Sequence, residues 1–103
     1  MIVVLARIEI APGRRDEFLI EMRKILADVR AEEGCIEYGP TIDSGTDIEA
    51  QQPIGGDDVM MVEKWESVSA LKAHLTAPHM LTYRQNVKEI VRGTRLQILE
   101  PAE

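Results

Sequence analysis

The sequence predicts an α+β domain with the ferredoxin-like, or split β-α-β, arrangement of its elements. Two observations lead to this fold class. Apolar residues recur at every second position in some segments and at every third or fourth position in others. These segments follow one another in the order β-α-β-β-α-β, which forms a four-stranded antiparallel sheet with both helices on one face. At 103 residues, the chain is expected to be a single domain that spans residues 1–103.

The first predicted strand covers residues 2–10, which are rich in β-branched side chains and alternate apolar with polar positions towards their end. A short turn at Ala11–Gly13 changes the period, and residues 14–33 then have one apolar helical face. Gly34 provides the stop signal, because glycine enters the left-handed backbone region at little cost. The helix residues predicted to face inward are Phe18, Met22, Ile25 and Val29.

The second strand is predicted at residues 35–43. Pro40 removes a backbone donor from it, which places the strand at an edge of the sheet or gives it a bulge. The residues expected on its apolar face are Ile36, Tyr38 and Ile42. Residues 44–58 are rich in Gly, Pro and Asp and form a long connection, which indicates a mobile or partner-covering loop before a third strand at residues 59–65.

A helix in two pieces is predicted after the third strand. Ser67 caps the first piece, and Pro78 cannot continue that piece but suits the first turn of a new one, which runs to about Val91. Gly93 ends the second piece before a last strand at residues 94–99. The residues predicted to face inward are Val68, Leu71 and Leu75 on the first piece and Met80, Tyr83, Val87, Ile90 and Val91 on the second.

The sheet of such a domain has a second face that neither helix covers. The predicted strands carry aliphatic residues on both faces, and a contiguous apolar patch of this size rarely stays exposed. Aromatic residues make up only 4% of the chain, so the core is small and mostly aliphatic. We therefore expect a homodimer, in which a second copy of the chain covers the open face.

Composition excludes several classes of function. The net charge of −6 argues against nucleic-acid binding, because backbone phosphates require a basic surface. Cys35 is the only cysteine, which excludes an intramolecular disulfide and any metal site built from several cysteines. The apolar N-terminal stretch is too short to span a membrane and lacks the features of a signal peptide. The sequence therefore predicts a cytoplasmic protein without a membrane partner.

The segment Val62–Met80 holds the only tryptophan and both histidines of the chain. The two-residue period of the third strand places Glu63 and Trp65 on one face. If this face meets the helices, Trp65 walls a cavity and Glu63 lies beside it. His74 lies at the margin of the apolar stripe of its helix, and His79 lies in the first turn of the next piece, so both histidines could reach the mouth of such a cavity.

Each of these residues also has a purely structural interpretation. A single tryptophan is commonly a core residue, and either histidine alone is more often at the surface or bonded to the backbone. Glu63 is harder to explain structurally, because an inward carboxylate must be paired, protonated or functional. Two histidines five residues apart across a helix break, without clustered carboxylates, are not a recognisable metal site. No phosphate-binding loop and no flavin or nucleotide motif is present, so no metal or cofactor is expected.

Three stretches resemble the antibiotic biosynthesis monooxygenase superfamily, and within it the bacterial quinol monooxygenases. They are EEGCIEYGP at residues 32–40, VEKWESVSALKAHLTAPHM at residues 62–80 and RLQILEP at residues 95–101. The resemblance implies a dimeric α/β barrel in which two sheets pack face to face. It also implies that O2 oxidises a quinol or a related hydroxylated aromatic without metal, flavin or haem. Haem degradation, found in one branch of the superfamily, is disfavoured, because Ala6 and Arg7 stand where that branch has an Asn and no histidine follows His79.

Taken with this resemblance, the predicted catalytic residues are His74, His79 and Glu63, and the predicted substrate-binding residues are Trp65, Tyr83 and Asn86. His74 is favoured as the base, because the C-terminus of its helix favours imidazolium, whereas the helix start at His79 opposes it. Glu63 is expected to orient one histidine, and Trp65 is expected to stack on the substrate ring. Two alternatives stay open: an isomerase or proton-transfer enzyme for a small polar substrate, and a non-catalytic small-molecule-binding or stress-response domain.

Overall fold

The computed structural model describes residues 1–103 and confirms the ferredoxin-like α+β fold. The elements are β1 (Ile2–Ile10), α1 (Arg15–Arg30), β2 (Cys35–Thr41), β3 (Asp58–Trp65), α2 (Val68–Leu75), α3 (Pro78–Asn86) and β4 (Val91–Leu99). The four strands form one antiparallel sheet in the order β2-β3-β1-β4. The predicted edge position of the strand that carries Pro40 is confirmed, because β2 has a neighbour only on the β3 side. None of the helices is long and apolar enough to cross a membrane.

The core lies between the helices and the sheet face formed by the even-numbered residues of β1 and the odd-numbered residues of β3. All four predicted inward residues of α1 are buried, as are Val59, Met61, Glu63 and Trp65 of β3. Ser67 caps α2 as predicted, with its hydroxyl accepting from the backbone N–H of Ala70. The alternation of β3 therefore places Glu63 and Trp65 on the helix-facing side of the sheet, where the cavity described below lies.

Several predicted inward residues are exposed instead. Ile36 is exposed because the β2–β3 register shifts between Cys35 and Glu37, which interrupts the alternation on which its placement depended. Ile42 is exposed because β2 ends at Thr41. Val68 is exposed at the first position of α2, where the helix has not yet reached the core.

The second helical piece is shorter than predicted, and the last strand is longer. α3 ends at Asn86, and the backbone N–H groups of Ile90 and Val91 both donate to the carbonyl of Val87 in a tight turn. Val91 then pairs with Ile10 of β1, so β4 begins three residues before the predicted start. Gly93 consequently lies within β4, opposite Glu9, and does not end a helix. Pairing with β1 outweighs the local helical pattern here.

The turn between α1 and β2 lies close against α2. Gly34 has a φ of +86°, and a Cβ placed on it would lie 2.5 Å from the Cβ of Ala70. The carbonyl of Gly34 also accepts a hydrogen bond of 2.8 Å from the backbone N–H of Glu66. This approach brings the residues just before Gly34 within reach of α2, although they are distant from it in sequence.

The loop between β2 and β3 has no regular secondary structure, as predicted. Its ends are attached to the rest of the protein by side chains. Asp43 accepts hydrogen bonds from the backbone N–H groups of Ile54 and Gly55, and Asp57 accepts one from Gly13. The loop lies away from the cavity described next, since none of its residues lines that cavity.

Candidate active site

A cavity of about 410 Å³ lies beside the core, between the helices and the helix-facing side of the sheet. This volume lies within the usual range for small-molecule sites, roughly 300–1,000 Å³. Most of its wall is aliphatic or methionine, and Tyr38, Glu63, His74 and Tyr83 supply polar groups. The full lining is Ala6, Ile8, Met22, Tyr38, Met61, Glu63, His74, Leu75, Met80, Tyr83, Arg84, Val87, Lys88, Val91, Thr94 and Leu96. An apolar space with a few converging polar groups is the usual form of a binding site for a small organic ligand.

Glu63 is a buried carboxyl group in this wall, with 5% of its surface exposed. Its Oε1 accepts a hydrogen bond of 3.0 Å from the indole N–H of Trp65. Burial raises the pKa of the Glu63 carboxyl, the Trp65 hydrogen bond partly offsets this, and the negative charge of Glu32 adds to the rise. Glu63 contacts neither histidine through a hydrogen bond, so the structure does not place it to orient one of them.

His74 is the second buried polar residue, with 2% of its surface exposed. Its ring packs on Trp65 with centroids 4.6 Å apart and a tilt of 35°, and Tyr38 meets it edge-on at 5.3 Å. Burial lowers the pKa of His74, although the hydrogen bond and charge of Glu32 act in the opposite direction. The expectation that the end of the helix favours imidazolium therefore does not describe the net effect, because desolvation is the larger influence.

Glu32, which the sequence reasoning did not select, holds both histidines. Its Oε2 lies 2.9 Å from Nδ1 of His74 and 2.7 Å from Nε2 of His79. Glu32 follows α1, and its backbone is fixed by hydrogen bonds to Val29 and from Cys35. No periodicity could have identified it, because it lies 42 and 47 residues from its partners. The only available signal was its place at the start of the EEGCIEYGP stretch.

The other predicted site residues lie in different surroundings. Trp65 is fully buried and does not line the cavity, so it supports His74 from behind. His79 does not line the cavity either. Its partly exposed ring bonds to Glu32 from a position outside the cavity. Tyr83 lines the cavity and meets Phe18 edge-on at 6.1 Å. Asn86 is exposed in a separate, polar groove between α1 and the end of α3.

Four polar atoms in the cavity wall have no hydrogen-bond partner in the protein: Nε2 of His74, Oε2 of Glu63 and the hydroxyls of Tyr38 and Tyr83. No fully enclosed side-chain nitrogen or oxygen lacks a partner. These four atoms must therefore touch open space, and each belongs to a residue that lines the cavity. Burial raises the pKa of both tyrosines, so their hydroxyls stay protonated and can donate. A ligand with ring hydroxyls or carbonyls would satisfy this set.

Two exposed basic residues, Arg84 and Lys88, lie at the outer end of the cavity. Neither is within ion-pair distance of a carboxylate. The structure contains no group of three or more His, Cys, Asp or Glu side chains arranged to hold a metal ion. Nδ1 of His74 and Nε2 of His79 both lie within hydrogen-bond distance of the same oxygen atom, Oε2 of Glu32.

Comparison with known proteins agrees with this fold. The profile of the antibiotic biosynthesis monooxygenase family matches residues 1–86. The chain is 38% identical over 103 residues to the Escherichia coli K12 protein named "Probable quinol monooxygenase YgiN", with 98% of each chain covered. Among solved structures, Rv0793 from Mycobacterium tuberculosis has a TM-score of 0.79 at 26% identity, covering 99% of this chain and 95% of that one. PA3566 from Pseudomonas aeruginosa has a TM-score of 0.80 at 24% identity, covering 99% and 94%. The chain belongs to the antibiotic biosynthesis monooxygenase family.

Proposed function

We propose that this protein is a cofactor-independent monooxygenase that oxidises a quinol or a related hydroxylated aromatic with O2. One observation carries the proposal: an apolar cavity of small-molecule size is lined by His74, Glu63 and two tyrosines, each of which keeps one side-chain polar atom without a partner in the protein. The aliphatic and methionine walls suit aromatic rings, and the polar atoms suit ring hydroxyls. The name of the 38% identical relative supports the same substrate class.

The proposed reaction requires a base that deprotonates the quinol, and it requires no cofactor, because the quinol anion itself supplies the electrons. His74 removes a proton from a quinol hydroxyl through its free Nε2. The lowered pKa of His74 keeps the ring neutral and able to accept that proton. The resulting anion is electron-rich and reduces O2. Over the whole reaction the quinol loses four electrons, one oxygen atom enters the ring, and the other leaves as water. A simple hydroquinone thereby gives a hydroxyquinone.

The other polar groups stabilise the anion and position the ring. The protonated hydroxyls of Tyr38 and Tyr83 can donate hydrogen bonds to a substrate oxygen, and such donors are worth most where water is excluded. The Glu63 carboxyl, whose pKa burial raises, accepts from Trp65 and keeps its second oxygen for the ligand. Trp65 holds His74 in place from behind. His79 acts through Glu32, and Asn86 lies outside the cavity and would not contact a ligand bound there.

Oxygen consumption with menadiol tests the proposal. After the autoxidation of menadiol is subtracted, the protein should produce an excess rate that depends on its concentration. With ¹⁸O2, one labelled atom should appear in the hydroxyquinone product. No excess rate with menadiol or related quinols would refute the reading as a monooxygenase. It would leave the isomerase and the binding-domain alternatives, and ligand titration of the same cavity would test for binding.

The isomerase alternative has less support in the cavity. A small polar or phosphorylated substrate would need basic groups along the wall, whereas Arg84 and Lys88 lie only at its outer end. The inner wall is aliphatic, and its polar groups are a carboxyl, an imidazole and two phenols.

A homodimer in the form of an α/β barrel, in a cytoplasmic setting, is part of the same proposal. The sheet face opposite the helices carries Val3, Leu5, Met60, Val62 and Leu99, and no element of the chain lies over it. Packing two such faces together would remove this aliphatic surface from water. Light scattering at micromolar concentration should give twice the monomer mass, and a monomer there would refute the dimer.

A further inference from the structure

The shared carboxylate of Glu32 determines where the histidine protons are. An ionised carboxylate only accepts hydrogen bonds, so a ring nitrogen at 2.7–2.9 Å from it must carry a hydrogen. Nδ1 of His74 and Nε2 of His79 are the nitrogens at this distance. In their neutral forms the two rings are then opposite tautomers: His74 carries its proton on Nδ1, and His79 carries its proton on Nε2.

We propose that Glu32 is a positioning residue that holds His74 in the Nδ1–H tautomer and so presents a free Nε2 lone pair to the cavity. A free imidazole side chain in water prefers the proton on Nε2, which would block the proposed base. The hydrogen bond to Glu32 reverses that preference, as the carboxylate of a catalytic triad does for its histidine. This inference rests on the proposed function for its catalytic consequence, although the tautomer itself does not depend on any activity.

The fold keeps the carboxylate in this place. The backbone N–H of Glu32 donates to the carbonyl of Val29, and its own carbonyl accepts from Cys35, at 3.0 and 3.1 Å. The following Gly34 lies directly against Ala70 of the helix that carries His74. His79 gives the same oxygen a second donor, which stabilises the charge of a side chain that is only 14% exposed. Trp65 and Tyr38 pack on the His74 ring, so the ring cannot turn without losing both contacts.

The histidine ¹⁵N spectrum tests the tautomers directly. The chain has only two histidines, so protein labelled with ¹⁵N-histidine gives two rings, and His79→Gln identifies which signals belong to which. At pH 8 the wild type should show His74 as Nδ1–H and His79 as Nε2–H. Finding His74 as Nε2–H in the wild type would overturn the inference.

Variants of Glu32 test its role. Glu32→Ala removes the acceptor, and the His74 proton should move to Nε2 while kcat for quinol oxidation falls about 10²- to 10⁴-fold, with a smaller change in KM. If the alanine variant folds poorly, Glu32→Gln provides a side chain of the same shape with a weaker acceptor. It should give mixed His74 tautomers and an intermediate rate. Glu32→Asp should restore the wild-type tautomer in part. The matched control is Glu33→Gln, which changes the neighbouring exposed carboxylate and should change neither spectrum nor rate.

The outcomes separate this inference from the proposed function. An unchanged His74 tautomer in both Glu32→Ala and Glu32→Gln would overturn the role of Glu32, even if the rates fell. A wild type that shows the expected tautomers but oxidises no quinol would refute the monooxygenase proposal while confirming the placement of the protons.

Discussion

Replacing Gly34 by alanine tests whether the turn before β2 must lie against α2. The new Cβ would be 2.5 Å from the Cβ of Ala70, closer than two non-bonded carbon atoms approach in proteins. The turn cannot retreat freely, because the carbonyl of Gly34 is bonded to the backbone N–H of Glu66 at 2.8 Å. The backbone is also unsuitable for alanine, since the φ of Gly34 is +86°.

The free-energy costs of the backbone conformation and of the steric contact can each be estimated. A non-glycine residue in the left-handed region costs roughly 1–2 kcal/mol, and forcing an extra methyl group into a packed contact costs about 1–3 kcal/mol. We therefore expect Gly34→Ala to lower the free energy of unfolding by about 2–5 kcal/mol, out of about 5–15 kcal/mol for a domain of this kind. Quinol turnover should also fall, because Glu32 lies two residues away and its carboxylate would move relative to His74.

Equilibrium urea unfolding at one fixed protein concentration measures this change, since the stability of the proposed dimer would depend on concentration. The double variant Gly34→Ala/Ala70→Gly separates the two costs. It should recover the steric part, so that the two changes are less than additive by about 1–3 kcal/mol. A Gly34→Ala protein within about 0.5 kcal/mol of the wild type, or strict additivity in the double variant, would refute the close contact.

Three further predictions concern the site and the assembly. His74→Ala should lower kcat about 10²-fold or more, and His79→Ala should lower it less; the reverse order in oxygen-uptake assays would exchange their roles. Because burial raises the pKa of Glu63 in the folded state, that state binds its proton more tightly, and stability is lost as pH rises above about 4.5. Glu63→Gln should therefore be more stable than the wild type in urea at pH 8, with a smaller difference at pH 4.5; an equal difference at both values contradicts this. Leu5→Asp, on the open sheet face, should give monomers by light scattering, and an intact dimer would exclude that face as the interface.

Local pattern was sufficient for most of the secondary structure. The two-residue period of β3 placed Glu63 and Trp65 on the same face, which is the inward face in the structure, and the helical period of α1 gave all four of its buried residues. Ser67 and Pro78 marked the starts of α2 and α3, because capping and proline geometry act within a few residues. These features depend on neighbours in the chain and can therefore be predicted from sequence alone.

Local periodicity gave wrong predictions of secondary structure and burial where contacts with distant segments decide the structure. β4 begins at Val91 because pairing with Ile10 of β1 replaces the last predicted helical turn. Ile36 is exposed because the register of β2 on β3 shifts beside it. Sheet register is decided by interstrand contacts, which a period of two does not describe.

The sequence by itself determined which residues could act, and only the tertiary structure decided how they are combined. A period shows which face a side chain leaves from, so Glu63 could be placed on the same face of β3 as Trp65, and His74 at the margin of the apolar stripe of α2. It does not show which atoms meet at the end of the side chain. The packing of the turn around Gly34 on α2 brings Glu32 to His74 and His79 across more than 40 residues. The ring of His74 packs on Trp65, which is buried and does not line the cavity. Contacts between residues so far apart in sequence depend on the whole fold, because the packing of separate elements decides which side chains meet.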